Sequence, residues 1–146
     1  MITDTLGEQI AQAMKAKDST RLSALRMLSS ALSYERIDRR RDLSADEELT
    51  IVRREAKKRH EAMEAYQKAG RDDLFQKEKA ELTVLEAFLP PQLPQSELEK
   101  IVNEVVKESQ TATAADIGRI IGAVIAKTKG QADGATVARL VKTKLA

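Results

Sequence analysis

The sequence predicts an all-α protein: a four-helix N-terminal domain with one long helix, a proline linker, and a three-helix C-terminal domain. Three observations lead there. Apolar residues recur at helical intervals along the chain, with no convincing two-residue alternation of a strand. Aromatics make up only 3% of residues (Tyr34, Tyr66, Phe75, Phe88), so the core must be aliphatic, and Leu, Ile, Val, Ala and Met suit helix packing. All three prolines, Pro90, Pro91 and Pro94, fall within one stretch of five residues. Their fixed φ and missing N–H groups stop a helix and stiffen the connection. The expected domains are residues 1–94 and 95–146.

The elements follow in order. Leu6, Ile10 and Met14 give a short first helix. Asp18 or Ser19 caps a second, with Leu22, Leu25, Leu28 and Leu32 along one face, running to about Arg40. In "LSADEE", Ser44 with Glu47 three residues on forms a capping box. It opens a long third helix whose stripe reads Leu49, Val52, Ala56, Met63, Tyr66, with Gly70 placed as its C-terminal cap. Asp72 or Asp73 starts a fourth helix carrying Leu74, Leu82, Leu85 and Leu89. After the prolines, Ser96 with Glu99 reads as a second capping box, for a fifth helix with Leu98, Ile101, Val102 and Val105. Thr113 caps a sixth, with Ile117, Ile120, Ile121, Val124 and Ile125. A seventh carries Val137, Leu140, Val141 and Leu145.

Composition narrows the function. The 146 residues include no Cys, which excludes disulfides, thiolate metal sites and a cysteine nucleophile, and fits a reducing cytoplasm. No apolar run approaches the roughly 18–20 residues of a membrane span, and the N-terminus lacks a basic-then-apolar secretory pattern. A cytoplasmic protein without membrane partners is expected. Net charge is only +2, but its distribution is uneven. Residues 1–94 balance 17 Lys/Arg against 17 Asp/Glu, residues 95–116 carry 2 against 5, and residues 117–146 carry 6 against 1. The last thirty residues therefore present a positive local field.

No catalytic constellation is visible. The single histidine, His60, lies among charges on the long helix with no second His or Cys to complete a metal site. Ser29, Ser30 and Ser33 fall within the second helix, with no base-and-orienter pair nearby; they allow close helix approach or face water. No glycine-rich phosphate loop exists, and carboxylates have helical partners at i, i+4, such as Glu55 with Arg59 and Glu64 with Lys68. No metal and no cofactor is expected. Two basic clusters, Arg36–Arg39–Arg40–Arg41 and Arg53–Arg54–Lys57–Lys58–Arg59, carry interspersed acids and read as solvated, salt-bridged faces.

The stretch "TKGQADGATVARLVKTKL" holds the clearest local signal. Gly130 after Lys127-Thr128-Lys129 reads as a helix C-cap, where a left-handed residue is needed and cations suit the helix dipole. Asp133 then caps the next helix, and Gly134 at its first turn permits close approach of a backbone or ligand. Lys127 and Lys129 flank this corner, while Arg139 and Lys142, three apart, share a face of the following helix. Asp133 would occupy the helix-start amides and repel an anion there, so the corner itself reads as structural and the lysines around it as the candidate RNA contact.

These residues carry a resemblance. "KGQADG" followed by an apolar helix resembles the KG-basic-ADG signature of the GatB/YqeY family. "LRMLSSALSYERID", "RREAKKRHEAMEAYQKAGRDDL" and "AELTVLEAFLPPQL" are similar to its second helix, long helix and pre-linker segment, in the same order. The likeness covers essentially the whole chain and is nearest the stand-alone YqeY-like type. It implies an all-helical N-terminal domain and a small helical tail domain that can move relative to it. In the tRNA-dependent amidotransferase B subunit the corresponding tail contacts tRNA, while an amidase subunit and an ATP- and magnesium-using cradle perform the chemistry. Neither has a counterpart here. Lys129, Gly130, Ala132, Asp133 and Gly134 match the signature; Gln131 and Ala135 depart from it, standing where members commonly carry Lys or Arg.

The leading expectation is therefore a tRNA-binding or tRNA-associated module, non-catalytic alone, whose nucleic-acid-binding residues are Lys127, Lys129, Gly130, Asp133, Gly134, Arg139 and Lys142. A second is a component of a glutamine-dependent carbon–nitrogen ligase, the label the resemblance carries, acting with amidotransferase partners. A third is a protein-interaction module on the translation machinery that uses the helical face of residues 45–69. Scarce aromatics disfavour base stacking, leaving backbone and shape recognition.

Overall fold

The structure, a computed structural model, describes residues 1–109, 113–129 and 131–145. Among them are seven α-helices and no strand. The chain divides into two compact units, Met1–Leu89 and Pro90–Ala146.

The first unit holds α1 (Ile2–Lys15), α2 (Ser19–Arg39), α3 (Ala45–Lys68) and α4 (Asp72–Glu86). α3 packs on α4, and both α1 and α4 pack on α2. Leu6, Leu25, Leu28, Leu32, Ile51, Val52 and Leu85 form one core. Burial of each such side chain contributes about 1.5–3 kcal/mol. The α2 face is the one its leucine spacing predicts, except that Leu22 is only half-buried. α3 departs from its expected stripe. Ile51, Val52 and Ala56 are buried, but Leu49, Met63 and Tyr66 are only partly covered, and two of the inward positions are Glu48 and Glu55.

The helix ends explain the chain's turns. Asp18 caps α2 by accepting the Arg21 N–H at 3.1 Å. Ser44 and Glu47 form the expected reciprocal capping box, at 3.2 and 2.8 Å. α3 ends in a Schellman turn: Gly70 (φ 69°) donates its N–H to Gln67 O, and Arg71 donates to Tyr66 O. Three other left-handed residues are basic, Lys17 (φ 53°), Arg40 (φ 56°) and Lys129 (φ 49°), and each follows the last turn of a helix. α1 has no cap of its own. The buried Glu48 of α3 supplies one, accepting the Ile2 N–H at 2.7 Å, the Thr3 N–H at 3.2 Å and the Thr3 hydroxyl.

The basic clusters are largely paired. Arg39 bridges Glu35 and Glu47, each at 2.7 Å, Arg41 reaches Glu47 at 2.6 Å, and Arg54 lies 3.5 Å from Glu35. The hydrogen bond from Arg41, then that from the Ser44 backbone, pulls the Glu47 pKa down to about 2. The expected Glu55–Arg59 pair does not form. Glu55 instead takes Lys58 at 2.9 Å, and Arg59 crosses to α4, reaching Glu78 at 3.2 Å and Glu81 at 3.6 Å. Packing of α3 on α4 thus overrides the local i, i+4 rule. His60 is an exposed residue 3.8 Å from Glu86.

The second unit holds α5 (Gln95–Glu108), a single 3₁₀ turn (Ala114–Asp116), α6 (Ile117–Thr128) and α7 (Gly134–Leu145). Leu98, Val102, Val105, Ile120, Val124, Val137 and Val141 close its core. The Ser96–Glu99 capping box is absent. α5 starts at Gln95 with Pro94 in the cap position and no side-chain cap, because proline's fixed φ suits a helix start and needs no N–H partner. Thr113 opens the 3₁₀ turn rather than α6 directly, and its N–H donates to Asp116 at 3.0 Å. That bond, the largest contribution, lowers the Asp116 pKa.

Candidate nucleic-acid interface

The corner between α6 and α7 is built from its backbone outward. Thr128, 2% exposed, donates its hydroxyl to Ile125 O at 2.8 Å. Lys129 then takes φ 49°, ψ 40° and closes α6. Lys129 is thus left-handed; Gly130, also expected to hold that conformation, lies outside the described residues. Gln131 N–H returns to Thr128 O at 2.9 Å, and Gln131 O accepts the Leu93 N–H at 2.7 Å, tying the proline-rich segment to the corner. Asp133 caps α7 as expected, its Oδ2 accepting the Thr136 N–H and hydroxyl, both at 3.2 Å. Gly134 makes no close backbone approach among the described residues. A Cβ added there would meet Ile125 Cδ1 at 3.9 Å, an ordinary contact.

The cations distribute around this scaffold. Lys129, Arg139 and Lys142 are exposed and have no ion-pair partner among the described residues. Val137 and Val141 face the core, which turns Arg139 and Lys142 outward. Lys127 differs, because its Nζ lies 3.2 Å from Glu108 at the end of α5. Both side chains are largely solvated, so the pair contributes no more than about 1 kcal/mol. The two residues are nineteen apart in sequence, beyond any local spacing rule, and only the folded core brings them together. Gln131 and Ala135 add no charge, so the corner's field rests on Lys127, Lys129, Arg139 and Lys142.

Two small all-helical units, the second carrying a cationic corner, define the class: an all-helical protein. The family model described as "Yqey-like protein" matches residues 3–145, and the chain belongs to that family. It is 32% identical over 85 residues to "Altered inheritance of mitochondria protein 41, mitochondrial" of Eremothecium gossypii. That match covers 58% of this chain and 46% of the relative, so the chain spans less than half of the relative's length. Among the described residues no helix is long and apolar enough to cross a membrane.

Proposed function

We propose that this chain is a tRNA-binding accessory module, non-catalytic on its own, whose RNA surface is formed by Lys129, Arg139 and Lys142 with Lys127 at its edge. One observation carries the reading. Lys129 holds a left-handed backbone that glycine adopts without strain, and it does so at an exposed position with its ammonium unpaired among the described residues. Left-handed backbone costs a lysine about 1–2 kcal/mol; Lys17 and Arg40 bear the same cost, and what sets Lys129 apart is that Lys127, Arg139 and Lys142 lie in the same small unit and add to its field. The resemblance of the corner to the amidotransferase tail, which contacts tRNA, supports the nature of the partner. The reading places phosphates, not bases, against the corner, because no aromatic side chain lies in the last thirty residues.

The test is a titration of labelled tRNA at several salt concentrations. Three to four phosphate contacts give a log–log salt slope of about −2 to −3.6. The combined Lys127→Glu, Lys129→Glu, Arg139→Glu variant should lose binding with its helicity intact. A slope near zero, or binding that survives the triple change, would overturn the reading.

One observation favours a second function on the other unit. Tyr34 and Ile37, one turn apart on α2, are 75% and 68% exposed beside Arg54 and Lys58 of α3. Such an apolar pair rimmed by charge fits docking of a protein of the translation machinery. Loss of such a partner on Tyr34→Ala, with tRNA binding unchanged, would separate the two functions.

A further inference from the structure

The first unit contains a cleft of about 440 Å³ between the start of α1, one face of α2 and the loop before α3. That volume lies in the range of small-ligand sites. Its composition is unlike that of a packing defect. Leu6, Leu32 and Leu43 lie along it and are otherwise buried at 4–6% exposure. Ser29, Ser33 and Arg36 follow one another at i, i+4 and i+7 of α2, a row about 10 Å long at 1.5 Å per residue. None of the three side chains has a hydrogen bond or ion pair among the described residues. Asp42, on the loop, likewise leaves its carboxylate without a partner and lines the same space. Gly7 of α1 opens onto it: a Cβ built there meets nothing within 4 Å. Glycine inside a helix costs about 0.5–1 kcal/mol relative to alanine, and here no neighbour requires it.

We infer that this cleft is a binding site for a small aliphatic α-amino acid. The Arg36 guanidinium and the Ser33 hydroxyl take the carboxylate, Asp42 takes the ammonium, and the leucines cover the side chain. The charge balance selects the zwitterion. Asp4, Asp42 and Glu48 line the cleft against Arg36 and the Met1 ammonium, three negative charges against two positive, so a ligand bearing only a carboxylate meets net repulsion. Glu48 is already engaged by the start of α1, and Asp4 by the Met1 amino group at 3.3 Å. Asp42 is therefore the carboxylate left for an incoming ammonium. A ligand bearing only an amine would leave the row from Ser29 to Arg36 unused.

Isothermal titration of the full chain with L-leucine and L-methionine tests this, with 4-methylpentanoate (leucine without its amine) and 3-methylbutylamine (leucine without its carboxylate) as comparators. Saturable binding of the amino acids, at least tenfold tighter than of either comparator, is expected because each comparator lacks one of the two charged groups that the cleft would hydrogen-bond. Gly7→Leu fills the cleft and should abolish binding while raising helix propensity. Arg36→Ala, at an exposed position, should weaken it about tenfold or more. No saturable binding at millimolar concentration would overturn the inference. So would comparators that bind equally well, or binding retained by the Arg36 variant. Neither substitution touches the α6–α7 corner, so failure here leaves the tRNA reading standing, and failure of that reading leaves this one.

Discussion

Lys129 can be replaced in two ways that separate what its backbone does from what its charge does. Lys129→Ala and Lys129→Gly both remove the ammonium and its favourable interaction with the C-terminal end of the α6 dipole, worth about 0.3–1 kcal/mol. They differ only in how well they tolerate φ 49°, ψ 40°. Alanine keeps the left-handed strain of about 1–2 kcal/mol, whereas glycine has none. The greater freedom of an unfolded glycine offsets about 0.4–1 kcal/mol of that relief. The glycine variant should therefore be the more stable of the two by about 1 kcal/mol, a difference of several degrees in Tm for a unit of this size. Both variants should bind tRNA equally poorly, each with a salt slope shallower by about 0.7–0.9 than the unmodified chain. Urea unfolding followed by helicity gives the first quantity, and tRNA titration at varied salt gives the second. A glycine variant less stable than the alanine variant would show that residue 129 is not left-handed. Unchanged affinity and slope in both would remove Lys129 from the RNA surface.

The buried charges of the first unit give further expectations. Glu48→Ala removes the acceptor for two N–H groups and a hydroxyl at the start of α1, and should cost about 2–3 kcal/mol in urea unfolding with faster hydrogen exchange at Ile2 and Thr3. A loss under about 0.5 kcal/mol would mean that water replaces it. Arg59→Met leaves Glu81, 3% exposed, and Glu78, 14% exposed, facing α3 without a cation, and should destabilise by about 3–5 kcal/mol; a neutral result would show the pair to be solvated in solution. Glu47 has a folded pKa depressed to about 2. Its contribution is present above the ordinary glutamate range near about 4.3 and is lost as pH falls through about 2, so Glu47→Gln should flatten the acid limb of the stability curve in that window. An acid limb identical to that of the unmodified chain would discount the Arg41–Glu47 bond.

The residues that declared themselves in the sequence share one property: their partners lie within a turn. Asp18, Ser44 with Glu47, Gly70 and Asp133 each satisfy backbone groups three to five residues away, and each forms the end that its residue type anticipates. Ser96 fails for an equally local reason, since Pro94 begins the helix earlier and leaves Ser96 inside its first turn. The buried faces of α2, α5 and α7 follow from aliphatic spacing alone. α3 does not, because Glu48 and Glu55 turn inward toward partners that the local pattern cannot supply.

Charge is harder to read than apolarity because a cation's availability depends on acids brought to it by folding. Arg59 looks paired with Glu55 in sequence, yet it spans to α4. Lys127 looks equivalent to Lys129, yet only Lys127 meets Glu108. In the fold the corner's candidate cations divide into Lys129, Arg139 and Lys142, unpaired among the described residues, and Lys127, weakly held by Glu108. Lys129 takes a backbone conformation that its residue type does not announce, since lysine is an unfavourable left-handed cap. The cleft beside Gly7 belongs to the same category. Ser29, Ser33 and Arg36 come to border one space with Gly7 of α1 and Asp42 of the loop before α3 only in the fold, and a glycine with nothing to pack against becomes intelligible only when the empty volume beside it is seen.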